Sequence, residues 1–351
     1  MTTSSSSSKS FEPYWLQAED WHTAGEPFRI VRPPASMLPE SIPSVADFRH
    51  QVASQGNHPL NTLRKTLCLE PRGHADMYGC FLLPANEGAH FGVLFWHKDG
   101  FSTACGHGTI ALGSWAVHHH IVEPKEGLNE VIIDVPSGRV KADVHMKDGK
   151  VEYTDFVSVP SYVLKRDVSV LDTKVDLAFA GAVYATMPSP LVVRPENHEA
   201  LISFARQIKA SLAPNDMRIY GDYDLYGVIF YEDLPPNSRA EAKGVGDAVR
   251  QRNVTIFADG ELDRSPCGSG TAARVASLLA EGKMKEGSVL IHESIVGTTF
   301  RATIDKPAES PTDFPGCVAR VRGRANLVAK SEFYIDPEDP VYPGFCFSND
   351  A

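Results

Sequence analysis

Cys105-Gly106-His107-Gly108-Thr109-Ile110-Ala111 and Cys267-Gly268-Ser269-Gly270-Thr271-Ala272-Ala273 are one phrase written twice, Cys-Gly-x-Gly-Thr-x-Ala. The copies start 162 residues apart, close to half of the 351-residue chain. Each opens a run of helical spacing: Leu112, Trp115, Ala116 and Val117 follow the first, Val275, Leu278 and Leu279 the second. The reading is a pseudo-symmetric molecule in which two thiols face each other across a cleft and exchange protons with one substrate carbon.

The residue types explain that chemistry. A helix N-terminus leaves backbone N–H groups unsatisfied and carries partial positive charge. Glycines there let a ligand carboxylate approach bare backbone. A cysteine at the same place has its thiolate favoured, so its pKa is expected to fall from about 8.5 toward roughly 3.5–7.5. A single Cys-Gly-x-Gly is more often a buried thiol beside a turn. Two copies, each with Thr four residues after its Cys, point instead to an anion clamp with a sulfur near each face of the adjacent carbon.

The composition of the whole chain is that of a soluble globular protein. Its hydrophobic fraction of 42% and charged fraction of 22% are ordinary for a globular protein. A formal net charge of −10 argues against nucleic acid and anionic membrane as main partners. The six cysteines, Cys68, Cys80, Cys105, Cys267, Cys317 and Cys346, have neither disulfide-framework spacing nor a Cys-x-x-Cys zinc pair. Residues 1–12 read as a disordered Ser-rich tail without the apolar core of a secretory signal. No stretch has the roughly 18 apolar residues of a membrane span. A reducing, cytoplasmic location follows as the expectation.

Taken in order, Trp15 to Val31 reads as two strands around the polar turn His22-Thr23-Ala24-Gly25-Glu26-Pro27, more readily a solvated hairpin than a site. Val45 to Leu69 contains a helix, and Arg72-Gly73-His74 leads into the strand Cys80 to Leu83, either lining the cleft or stabilising a turn. Gly92 to Trp96 is a buried strand before the first motif. The run His118-His119-His120 suits the dipole at a helix C-terminus better than a metal, because adjacent helical residues do not share a face. Glu130 to Pro160 alternates as a meander of antiparallel strands. The pattern restarts near Pro160: strands at Val175 to Ala185 and Gly227 to Tyr231, a helix at Glu196 to Leu212, then strands about the second motif and two in the tail, Val318 to Ile335. Each half is thus a strand-rich sheet with one Cys-headed helix, an α+β architecture.

These residues resemble the proline racemase family, within the diaminopimelate-epimerase-like fold. The resemblance is carried by residues 22–27, Arg72-Gly73-His74, Cys105-Gly106-His107-Gly108, Asp263-Arg264-Ser265-Pro266-Cys267-Gly268-Ser269-Gly270-Thr271 and Glu293-Ser294-Ile295-Val296-Gly297, and spans most of the chain. It implies two pseudo-symmetric lobes, each a mostly antiparallel sheet wrapped around a central helix. The first would comprise residues 13–160 with the C-terminal segment 320–351 joining it, the second residues 161–319. It also implies action on proline or hydroxyproline, a small-molecule imino acid, with no cofactor: neither pyridoxal phosphate nor metal. Cys105 and Cys267 would be the acid/base thiols. Gly106, His107, Gly268 and Ser269 would contact the carboxylate, and Asp263 and His107 would hold the ring nitrogen. A homodimer is left open.

The expected reaction is general acid–base catalysis: one thiolate removes the Cα proton and the opposite thiol returns one. Two such thiols titrate as a coupled pair. The family's trans-3-hydroxy-L-proline dehydratases usually carry Thr at the second position, so Cys267 favours racemisation or 2-epimerisation. The stretches Arg72 to Gly79 and Ala272-Ala273-Arg274 resemble the dehydratases and keep that alternative open, as does, more remotely, a carboxylate-binding module without turnover. Iodoacetamide is expected to label Cys105 or Cys267 before Cys68 or Cys346.

Overall fold

A computed structural model describes residues 12–213, 219–235 and 248–347. The Ser-rich tail expected over 1–12 therefore lies, apart from Glu12, outside the described residues. In chain order, β1 (Tyr14–Thr23) and β2 (Glu26–Val31) form a hairpin, and α1 (Val45–Ser54) and α2 (Pro59–Cys68) cross to β3 (Gly79–Leu83) and β4 (Phe91–Trp96). The helix α3 (Gly106–His118) crosses to β5 (Gly127–Val135), followed by β6 (Gly138–Lys147) and the long β7 (Lys150–Val170). The order then recurs: β8 (Thr173–Phe179), β9 (Val183–Pro188), α4 (His198–Leu212), β10 (Leu225–Asp233), β11 (Ala248–Phe257), the short β12 (Glu261–Asp263), α5 (Gly268–Ala280), β13 (Val289–Glu293), β14 (Thr299–Ala308) and β15 (Gly316–Gly323). Finally β16 (Ala325–Ile335) returns to pair antiparallel with β1.

The internal repeat is visible in strand direction. Most neighbours are antiparallel, but β2–β3 and β4–β5 are parallel in one half, and β9–β10 and β11–β13 in the other. Parallel neighbours require a crossover, usually helical. In each half the first parallel pair is bridged by outer helices, α1 and α2 or α4, and the second by the Cys-headed helix, α3 or α5. The two motifs thus occupy the same topological place.

Both central helices are apolar nearly all round, which demands enclosure rather than a surface position. Residues 106–117 of α3 and 268–278 of α5 are buried throughout. The pairing of β15 with β7 closes β7 to β11 and β13 to β15 into a ring around α5. Helix α3 packs on β6 at Gly113, where an added Cβ would meet Ala142 Cβ at 2.6 Å. The fold is α+β with two lobes. Among the described residues no helix is long and apolar enough to cross a membrane.

Two local readings need correction. Val45 to Leu69 holds two helices, separated by a loop that ends at the α2 cap, where His58 Nδ1 accepts the Leu60 N–H. Val175 to Ala185 is two strands turned at Ala180-Gly181-Ala182, with Gly181 at φ +80°. At Pro160, where the sequence pattern restarts, β7 is continuous, with Pro160 opposite Val318 of β15. Periodicity changes there because the strand passes from one core to the other.

Candidate active site

The two helix N-termini abut. A Cβ built on Gly106 would lie 2.5 Å from the Gly268 Cα, and one on Gly268 equally close to the Gly106 Cα. Such approach is open only to glycine, since side-chain carbons pack at roughly 3.5–4.0 Å. Each Cys is the N-cap of its helix. Cys105 Sγ accepts the Gly108 N–H at 3.2 Å, and Cys267 Sγ accepts the Gly270 N–H at 3.3 Å. The structure therefore brings together Cys105, Gly106 and His107 with Cys267, Gly268 and Ser269. Asp263 sits on β12 at the entry to the second motif, fully buried, its Oδ1 accepting the Ser265 N–H at 2.8 Å.

The copies differ in backbone and in neighbours. Cys105 is extended at φ −153°, whereas Cys267 is held at φ +62°, in the left-handed region that a non-glycine residue rarely occupies. The His107 ring lies against Cys105, with Nδ1 at 3.5 Å and Nε2 at 3.6 Å from Sγ. Burial pushes the His107 imidazole down to about 3, so it is neutral. Cys267 has no imidazole at the matching place, only Ser269, and the nearby Asp263 carboxyl disfavours its thiolate. Asp263 itself is raised by burial.

The expected depression of the thiol pKa values does not appear. Both Cys105 and Cys267 are raised, because loss of solvation outweighs the single backbone N–H bonded to each sulfur. Each keeps 6% of its surface exposed. Cys346 is only half-buried, whereas Cys68 is buried and raised by desolvation. For Cys346, though not for Cys68, the expected labelling order is accordingly the reverse. With the native protein, iodoacetamide should modify Cys346 first. Labelling of Cys105 and Cys267 should be slow and accelerate with each unit of rising pH, as the small thiolate fraction grows. Peptide mass mapping at pH 7 and 9 checks this, and early modification of Cys105 at pH 7 would contradict it.

The hairpin tip between β1 and β2, read as a solvated turn, exposes Gly25 but buries Thr23 and Glu26 against the segments carrying the two motifs. Thr23 Oγ1 donates to the His107 carbonyl at 2.8 Å. Glu26 is fully buried, and its Oε2 accepts the Arg264 backbone N–H at 2.8 Å and lies 3.0 Å from Arg264 Nε. Thr298 Oγ1 donates to the Ala24 carbonyl at 2.7 Å. Burial raises the Glu26 carboxyl, and Arg264 opposes that shift. These bonds tie the first lobe to the segment carrying Asp263 and Cys267. The Arg72-Gly73-His74 stretch serves structure and seam together: Arg72 Nη2 pairs with Asp339 at 2.8 Å, and Asp76 Oδ1 accepts the Leu262 N–H at 3.3 Å.

Of the histidine run, His119 Nε2 meets Glu19 at 2.8 Å and His120 Nδ1 meets Glu123 at 3.1 Å. A different group, His97, Asp99 and Glu261, brings ligand-type atoms within 4.8 Å of one another. The Lys98 ammonium already serves it, 2.9 Å from Asp99 Oδ1 and 3.9 Å from Glu261 Oε1.

Sequence reasoning missed the aromatic residues beside the thiols. Tyr184 Oη lies 2.7 Å from Ser269 Oγ and 4.0 Å from Cys267 Sγ. The Tyr78 ring packs edge-on against His107, with centroids 5.1 Å apart. Tyr78 precedes a strand and Tyr184 lies within one, and neither has a motif around it to single it out. Tyr78 did stand in a polar stretch already quoted, and that was the available signal.

Comparison with known proteins places this geometry. The family described as "Proline racemase" matches residues 19–346. A trans-3-hydroxy-L-proline dehydratase of Bacillus thuringiensis subsp. konkukian is 35% identical, over 93% of this chain and 96% of its own. A proline racemase of Clostridioides difficile is 32% identical, over 94% and 97%. A crystal structure of a hydroxyproline epimerase from Agrobacterium vitis, with bound trans-4-OH-L-proline, superposes with a TM-score of 0.85 over 97% of each chain, at 24% identity, a likeness of fold. With a family match over residues 19–346 and relatives above 30% identity spanning both lobes, one named a racemase and one a dehydratase, the chain belongs to the proline racemase family.

Proposed function

We propose that this protein is a cofactor-independent racemase or 2-epimerase of an imino acid, proline or a hydroxyproline, in which Cys105 and Cys267 move the Cα proton between opposite faces. The observation that carries the reading is the approach of the two motifs at Gly106 and Gly268, each directly after an N-capping cysteine. The lobes contributing them are residues 13–160 with 320–351, and residues 161–319.

The roles follow from the local chemistry. Backbone N–H groups at Gly106-His107 and Gly268-Ser269 receive the carboxylate, whose charge increases as the Cα–H bond breaks. Asp263 and His107 face the ring nitrogen. Burial penalises charge on both thiols and raises their pKa. A cationic ring nitrogen supplies the missing counter-charge, lowering Asp263 and permitting one thiolate. Burial and the Asp263 carboxyl oppose charge on both sulfurs, and Cys105 is assigned as the first base because the neutral His107 ring lies beside it. Cys105 then takes the proton from one face, Cys267 donates from the other, and reversed protonation states run the reaction backward.

The second reading is the dehydratase, favoured by the name of the B. thuringiensis relative. It needs one base to remove the Cα proton, after which a 3-hydroxyl leaves. Incubation with L-proline, the 4-hydroxyprolines and trans-3-hydroxy-L-proline in deuterated water separates the two. Inversion with one deuterium at Cα supports the epimerase, and a pyrroline product from the 3-hydroxy acid alone supports the lyase. Absence of exchange and of product with every substrate would leave a non-catalytic binder and overturn both.

A further inference from the structure

Strand β11 turns one of its faces toward the second motif. Side chains two apart on a strand share a face. Val254 and Ile256 lie in the hydrophobic core that also holds Leu201, Ala205 and Ile208 of α4. Asn253, Thr255 and Phe257 therefore point the other way. Asn253 Nδ2 donates at 3.1 Å to the carbonyl of Pro266, the residue before Cys267. The Phe257 ring packs edge-on to Tyr78, with centroids 5.8 Å apart. Between these two stands Thr255, directly opposite Asp263 of β12. It is fully buried, and among the described residues its Oγ1 has no partner in normal hydrogen-bond geometry.

A buried hydroxyl without a partner is costly, and native structures keep few of them. Thr255 gains a partner at one point of the proposed reaction. As a thiol, Cys267 turns its S–H toward the Asp263 carboxyl, a bond that favours the carboxylate against its burial. When that proton passes to Cα the sulfur keeps the electron pair, and two like charges then face each other. Burial and Asp263 oppose the thiolate, while the Gly270 N–H and the Thr255 hydroxyl favour it. The titratable groups around this sulfur are Asp263 from β12, Cys105 from the other motif and Tyr184 from β9, none of them a cation. Arg264, on the same segment, is engaged with Glu26, and the Tyr184 hydroxyl with Ser269. Thr255 is the donor left uncommitted.

We infer that Thr255 holds Cys267 in its ionised state, its hydroxyl bonding the sulfur once the proton has gone to Cα and releasing it when a proton returns. The inference rests on the two-thiol reading above and adds a residue to it. Thr255 is a positioning residue that acts through Cys267. The first motif meets the same need differently, with the His107 ring beside Cys105. A preorganised donor aimed where charge develops stabilises it without reorganisation, and a hydrogen bond to an ionised group is roughly twice as strong as a neutral one.

The test compares Thr255→Val, which keeps the shape without the hydroxyl, with Thr255→Ser, which keeps the hydroxyl, in the full chain. Iodoacetamide labelling of Cys267 at pH 9 is followed by peptide mass mapping, with Cys105 in the same sample as the internal control. Below the thiol pKa the labelling rate follows the thiolate fraction. Thr255→Val should slow Cys267 roughly tenfold or more, the loss of one hydrogen bond to a charged group, and change Cys105 less than about threefold. Thr255→Ser should stay within about threefold of wild type at both. The unfolding midpoint of Thr255→Val should not fall, because the hydroxyl has no bond to lose in the resting protein; a merely structural threonine would lose stability instead. Inversion at Cα should drop with the Cys267 labelling rate and return in Thr255→Ser. Unchanged Cys267 labelling in Thr255→Val, equal slowing at Cys105, or inversion untouched by Thr255→Val would each overturn the inference. Labelling needs no turnover, so a wild-type protein that inverts no imino acid but shows the expected labelling pattern retains Thr255 as the partner of Cys267 and counts against the Cα chemistry alone. Should Thr255→Val fail to fold, Thr255→Ala against Thr255→Ser gives the same comparison.

Discussion

Replacing Cys105 with serine is expected to remove Cα exchange, inversion and elimination alike, by roughly 10³-fold or more, in line with the loss of a positioned general base. A serine hydroxyl is a far weaker acid than a thiol, so the neutral His107 beside it cannot generate a comparable base. Cys267→Ser should act differently. Inversion needs a donor on the second face and should fall as far, but elimination from a 3-hydroxylated substrate needs only the first base. Measuring chiral inversion and pyrroline formation in both variants decides the assignment. If Cys267→Ser left inversion intact, the two-thiol scheme would be wrong. If Cys105→Ser lost inversion but kept elimination, the base would be on the other lobe. Both variants should fold, since sulfur to oxygen changes little volume and each hydroxyl can still accept the cap N–H.

Gly106→Ala should have a comparable effect through geometry alone. Its Cβ would lie 2.5 Å from the Gly268 Cα, with Gly268 C and Ser269 N at 2.6 Å. These are backbone atoms and cannot rotate away, so the two helix N-termini must part by about 1 Å to reach ordinary contact. Overpacking of this kind costs about 1–3 kcal/mol of stability. A 1 Å displacement of reacting groups costs roughly 10²-fold in rate. Gly106→Ala and Gly268→Ala should each lower both the unfolding midpoint and kcat/KM. The double variant should be worse than either, since both methyls claim the same gap. A Gly106→Ala protein with wild-type kcat/KM would show that the contact between motifs is dispensable. Gly282→Ala provides the contrast. Gly282 has open space around it, and only its φ of +68° resists a side chain, so modest destabilisation without loss of rate is expected.

The pair of motifs was legible because a helix N-terminus is a local structure. Gly, Thr and a capping Cys specify it within five residues, and the observed bonds from Gly108, Gly270, Thr109 and Thr271 back to Cys105 and Cys267 are all short-range. Central placement of α3 and α5 was equally local in origin, since their runs carry almost no charge. The hairpin tip was misread for the opposite reason. His22, Thr23 and Glu26 are polar, and polarity suggests solvent unless a distant partner is known. Glu26 finds that partner 238 residues away at Arg264. The thiol acidity was misjudged likewise: capping is sequence-local, but desolvation is the sum of everything packed around the sulfur.

Sequence by itself determined that this protein has two equivalent halves, each with a thiol capping an apolar helix, because capping and periodicity involve neighbours along the chain. Only the tertiary structure decided that Gly106 meets Gly268, that Cys267 and not Cys105 is held at positive φ, and that Tyr184 lies beside Cys267 while Tyr78 packs on the His107 ring next to Cys105. Those are relations between segments dozens to more than a hundred residues apart, and they exist only once the two lobes have closed on each other and water has left the contact.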